Sequence, residues 1–165
     1  MKNLEQKHLA LIEETERRGQ MQTDNLYACF ELLALAGAID KDCAARLAPY
    51  RLSEGKFVLL FLLNGQLNGL SPFELAERAG VTRATITGLL DGLERDQFIK
   101  RCPSPDDRRK ITIMLTEQGG QIAHELFNEH TRWISALFAG FSHEERKTLD
   151  GFLQRIRKNL DGDSS

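Results

Sequence analysis

Three groups of residues near the middle of the chain carry side chains suited to recognising another molecule. The first is Thr82-Arg83-Ala84-Thr85-Ile86-Thr87, with three hydroxyls and a guanidinium in six positions. The second is Asp106-Asp107-Arg108-Arg109-Lys110, two carboxylates followed by three cations. The third is Ser71-Pro72-Phe73-Glu74. Hydroxyls and flexible donors at the start of a helix suit the base edges of a major groove, and Lys and Arg suit phosphates. From Thr82 to Lys110 there are seven basic and five acidic residues, a surplus of +2 in a chain of net charge −2, so the remainder carries −4. The total argues against a polyanionic partner, but the distribution makes this segment the basic one.

Local elements must hold these groups in place. Ser71 suits an N-cap, Pro72 the first helical position, and Glu74 can reach back to close a capping box. A helix is therefore predicted over 72–79, ended by Gly80. Thr82 caps a second helix over 83–96 whose apolar side is Ile86, Leu89, Leu90 and Leu93. Two short capped helices joined by Gly80-Val81-Thr82 have the build of a helix-turn-helix, with small Ala76 allowing close approach and Val81 plugging the turn. Alternating residues then predict strands over 98–102 and 111–115, with Ile111, Ile113 and Leu115 sharing a face. The proline-punctuated stretch 103–110 reads as the hairpin loop.

Flanking segments read as helices. Residues 4–18 space Leu4, His8, Leu11, Ile12 and Thr15 helically, and 25–47 repeat the pattern until Pro49. Ser53 caps a helix whose body, 57–63, is apolar nearly all round and so is expected to be buried on most faces. Asn64-Gly65 and Asn68-Gly69 mark the turn after it. Thr116 caps a long helix carrying Ile122, Leu126, Trp133, Ile134, Leu137 and Phe138 and ended by Gly140. Ser142 and Glu145 open a last helix running to about Leu160. The fold class is mainly α with a small β-hairpin wing: a winged helix-turn-helix over 51–117 flanked by a helical region over 1–50 and 118–161.

The runs 70–76 and 81–94, then Asp106-Asp107-Arg108-Arg109-Lys110 and Leu115-Thr116-Glu117-Gln118-Gly119, resemble the MarR family of transcription regulators, closely over about 52–120. The combination is specific where each piece alone is weak. The resemblance implies a triangular homodimer bound to double-stranded DNA, with the terminal helices of 1–50 and 118–161 as its dimerisation region. It implies that Arg109 enters the minor groove, with Asp107 holding it, and that Arg108 and Lys110 meet phosphates. It also implies that members usually repress, many releasing DNA when a small phenolic or aromatic ligand binds and others responding to cysteine oxidation. Residues 1–22 extend beyond the family's usual start. Gln97 stands where a helix-ending Gly is common, which predicts a less tightly turned junction.

The candidate DNA-binding set is thus Ser71, Thr82, Arg83, Thr85, Ile86, Thr87, Asp107, Arg108, Arg109 and Lys110. Ser71 and Glu74 read first as caps, Ser71 with a phosphate bond as its second role, and Thr82 as both cap and contact. Arg83 competes with a plain solvated reading, and Thr85 and Thr87 stand even between contact and solvent. Aromatic residues at helical spacing, Phe30 and Trp133 among them, read as core before pocket lining. Three cysteines, Cys29, Cys43 and Cys102, with no CxxC spacing, fit a reducing cytoplasm, and no signal peptide or membrane span is expected. Cys29 reads as a buried, unreactive thiol before a peroxide sensor, and Cys102 as a sensor only in a minority reading. No cofactor, metal site or enzyme motif is expected. Two alternatives stay open: a cysteine-based redox regulator, and a winged-helix protein-interaction module that does not bind DNA.

Overall fold

The computed structural model describes residues 4–19, 23–103 and 110–162. Its order is α1 (Gln6–Arg17), α2 (Thr23–Leu47), a 3-10 turn (Ala48–Tyr50), α3 (Glu54–Leu63), α4 (Pro72–Ala79), α5 (Arg83–Arg95), β1 (Ile99–Pro103), β2 (Ile111–Leu115), α6 (Glu117–Leu137) and α7 (His143–Gly162). The chain forms two compact units, one ending at Gly120 and one beginning at Gln121. This is the mainly helical fold with a two-stranded antiparallel wing that the sequence predicts.

In the first unit, α3, α4, α5 and the hairpin enclose a core of fully buried Leu59, Leu60, Leu63, Leu75, Leu90, Leu93 and Ile113. Burying each such side chain contributes on the order of 1.5–3 kcal/mol. Helix α3 is buried on most faces as expected, with Phe57, Leu59, Leu60 and Leu63 buried and Phe61 left 45% exposed. Each helix of the pair α4–α5 has its own start signal. Ser71 Oγ accepts from the Glu74 N–H at 3.2 Å while Glu74 Oε2 accepts from the Ser71 N–H at 2.8 Å. Thr82 Oγ1 accepts from the Thr85 N–H at 3.2 Å. Gly80, at φ 64°, reverses the chain between them, and the Val81 N–H donates to the Ala76 carbonyl.

The hairpin pairs Ile99 with Leu115 and Pro103 with Ile111. A third segment joins it: Leu70 and Ile113 exchange both backbone hydrogen bonds, at 3.1 and 2.8 Å. Gly69 makes this possible, since a Cβ there would lie 2.3 Å from the Ile113 carbonyl oxygen. Strand β1 begins and ends one residue later than predicted. Ile111 does not share the burial of Ile113, because it sits at the outer end of the pair, 51% exposed.

The helix before Pro49 stops at Leu47 as expected, and the proline sits inside the 3-10 turn, where its missing N–H costs nothing. Two further expectations need correction. Gln97 does not loosen its junction: it adopts φ 63°, the left-handed conformation a glycine would take, and its N–H donates to the Glu94 carbonyl. Cys29 is exposed rather than buried in this chain. The N-terminal extension folds as α1 against α2, burying Ile12 and stacking the His8 ring on Phe30 with centroids 4.4 Å apart.

The second unit continues α6 and adds α7. Ala123, Leu126 and Trp133 are buried, whereas Ile134, Leu137, Phe138, Phe152, Leu153, Ile156 and Leu160 are exposed. A second capping box, Ser142 with Glu145, starts α7.

Candidate nucleic-acid interface

The starts of α4 and α5 and the base of the wing surround one open concavity of about 650 Å³, lined by Ser71, Phe73, Arg83, Ile86, Thr87 and Lys110 among others. Five of the ten candidate residues therefore meet on one face. Thr82 and Thr85 lie at the adjoining helix start, both exposed. Asp107, Arg108 and Arg109 lie outside the described residues.

The threonine hydroxyls keep capacity for a partner. Thr82 Oγ1 and Thr85 Oγ1 stand 2.9 Å apart, and one hydrogen satisfies that contact, so the other hydroxyl hydrogen is available. Thr87 Oγ1 donates to the Arg83 carbonyl at 2.9 Å, leaving its lone pairs as acceptors. Ile86 is only 3% exposed, so it forms the floor and anchors α5 to the core. The first-turn N–H groups of α5 point out of the helix end, where the dipole favours an anion.

Ser71 is committed differently. Its hydroxyl accepts from the Glu74 N–H and donates to Glu74 Oε2 at 2.7 Å, so cap and carboxylate use up the hydroxyl proton. The Ser71 hydrogen bonds hold the Glu74 carboxyl below the usual carboxylate range. A carboxylate here repels a phosphate at the start of α4, and the cation acting on it is Arg78.

Not all the positive charge counted in the sequence faces outward. Arg101 on β1 donates to Asp91 at 2.5 Å and to Glu94 at 2.7 Å, both on α5. These hydrogen bonds raise its pKa above the ordinary arginine value and tie the wing's first strand to α5. Lys56 of α3 meets Asp96 at 2.6 Å just beyond α5, holding that carboxyl low. The surplus counted over Thr82–Lys110 includes Arg101, which is spent inside the unit. The signal was present, because opposite charges ten and seven residues apart across a helix-to-strand turn can meet.

Among the described residues no cluster of three or more His, Cys, Asp or Glu could hold a metal, and no helix is long and apolar enough to cross a membrane.

Known proteins with this pattern are numerous. The MarR family model matches residues 52–111. The chain is 37% identical over 162 residues to the HTH-type transcriptional repressor YetL of Bacillus subtilis, covering 93% of this chain and 97% of that repressor. It is 30% identical over 124 residues to the HTH-type transcriptional regulator PecS of Dickeya dadantii, covering 74% and 75%. The crystal structure of Streptococcus pneumoniae FabT in complex with DNA agrees in fold with a TM-score of 0.66 over 80% of this chain and 94% of that one, at 22% identity.

Proposed function

Because this chain belongs to the MarR family of transcription regulators, we propose that it is a DNA-binding repressor acting as a homodimer on a pseudo-palindromic operator. The observation that carries the reading is the shared concave face of Arg83, Thr87 and Lys110 at the start of α5. That helix start enters the major groove, with Arg83, Thr82, Thr85 and Thr87 offered to base edges and Ile86 seating the helix. Ser71 acts first as a cap. Arg108 and Lys110 meet phosphates, and Arg109, oriented by Asp107, reads the width and potential of the adjacent minor groove.

Residues 51–117 form the DNA-binding part, and 1–50 with 118–161 the dimerisation region. Support for the latter comes from apolar side chains left exposed on α2 (Leu32, Leu33, Leu35), α6 and α7. Such surface invites a second copy under two-fold symmetry. Release by a small phenolic or aromatic ligand rests on the family alone. Exposure of Cys29 favours the redox alternative as a second reading; Cys43 is a poor sensor, since burial and then Glu54 push its thiol pKa up.

A gel-shift titration against DNA upstream of the chain's own coding region, at two salt concentrations, tests the reading. Binding that weakens steeply with salt is expected, because phosphate contacts release counterions. Absence of salt-dependent binding would leave the interaction module.

A further inference from the structure

At the other end of α5 lies a second concavity, about 320 Å³, lined by Arg51, Arg95, Asp96, Gln97 and Gln118 among others. Its walls come from the 3-10 turn, the end of α5, the start of β1 and the first turn of α6. We propose that this cleft binds a small oxyanion, a phosphate or carboxylate carried on a compact molecule. The proposal goes beyond the DNA-binding reading and does not depend on it.

Two independent observations carry the inference. The first is backbone conformation. Among the described residues only two that are not glycine have positive φ, Arg51 at 56° and Gln97 at 63°, and both line this cleft. Elsewhere the chain places glycine at such positions, as at Gly65, Gly69, Gly80 and Gly140. Both residues close a helix end, where glycine is the common choice, and a non-glycine residue in this conformation costs roughly 1–2 kcal/mol. Glycine would make both turns more cheaply, but it brings no guanidinium and no amide.

The second is charge. Asp96 is engaged by Lys56 at 2.6 Å, and Arg95 and Arg51 also act on its charge, so three cations face one acid at this cleft. Neither the Arg51 nor the Arg95 side chain has an ion pair among the described residues. Two guanidiniums outweigh the roughly half negative charge of the α5 C-terminus. Their planar forks match an oxyanion bidentately, and Gln97 and Gln118 add amide donors. A volume near 300 Å³ is the lower end for small-molecule sites, room for an oxyanion with a small body. Arg95 follows Arg83 by twelve residues, about 18 Å along the helix, so the cleft is separate from the concavity at the front.

Inorganic phosphate is the probe. The wild-type chain, free of DNA, is titrated with phosphate against chloride at matched ionic strength, followed by amide NMR and by melting temperature. The expected result is saturable shifts centred on Gln97, Phe98 and Gln118 and a rise in melting temperature with phosphate only. Arg51→Gln with Arg95→Gln should weaken phosphate at least tenfold while leaving the slope of DNA affinity against salt unchanged. Equal effects of phosphate and chloride, or shifts centred instead on Arg83 and Lys110, would overturn the proposal. So would a DNA salt slope reduced by about two in the double variant, which would assign the arginines to the DNA backbone.

Discussion

At the residue scale, function depends on which charges are spent inside the fold. Arg101 counts in the sequence toward the basic segment, yet it is paired inside the first unit, and among the described residues Arg83 and Lys110 are the cations lining the front concavity. Arg109 is the sharpest test of the wing. Arg109→Ala should weaken specific duplex binding by about 1–3 kcal/mol, roughly ten- to a hundredfold, with most loss at A·T-rich flanks. Competitive anisotropy on duplexes with A·T and G·C flanks would measure it, and equal affinity for the variant would remove this arginine from the mechanism. The Lys56–Asp96 pair makes a stability prediction. Its folded-state carboxyl pKa is depressed, so its contribution is complete above the unfolded value near 3.9 and is lost as pH falls through the folded value. Asp96→Asn should therefore cost about 1 kcal/mol at neutral pH and nothing at the acid end, measured by urea unfolding across that range.

At the element scale, caps and close approaches explain why the motifs have their residue types. The Thr116 hydroxyl donates to the Gln97 carbonyl at 2.7 Å and accepts from the Gly119 N–H at 3.0 Å, so one side chain both starts α6 and fastens it to the end of the α5 junction. Gly119 is required by contact: a Cβ there would stand 1.8 Å from the Phe98 carbonyl oxygen, which cannot yield without moving β1. Gly119→Ala should destabilise by about 3 kcal/mol or more, read as a fall in denaturant midpoint. Helix starts were legible in the sequence because a cap is a local event: Ser71, Thr82, Thr116 and Ser142 each announce themselves within four residues. Gln97 was not legible, since nothing local says that a glutamine will accept a positive φ. Its turn is imposed by the hydrogen bonds around it, including Phe98 N–H to the Leu93 carbonyl. The burial of Ile113 against the exposure of Ile111 was hidden for a similar reason. Periodicity names the face of a strand but not how far along it the core extends.

At the scale of the whole molecule, the winged helix is legible from sequence because its periods, caps and breakers agree, whereas the use of the terminal helices is not. Periodicity places Phe152, Leu153 and Ile156 on one side of α7 without saying what covers them. If a second copy does, sedimentation should give twice the chain mass, and Leu153→Glu with Ile156→Glu should shift it toward one chain and cost DNA affinity together. A double-charged variant that stays dimeric would move the interface elsewhere. The five front-face residues that meet around one concavity were recoverable from spacing and caps. The cleft behind α5 was not, because it joins residues 51, 95 and 118 through folding alone.

Hydroxyl-radical footprinting of the bound operator is the most direct test of the central claim, that a capped helix start and an arginine-tipped wing from each of two subunits read one duplex. Two symmetric protected half-sites about one helical turn apart are expected, each flanked by a protected minor groove that becomes accessible again in the Arg109→Ala protein. A single unsymmetric footprint, or wing protection unchanged by that substitution, would contradict it.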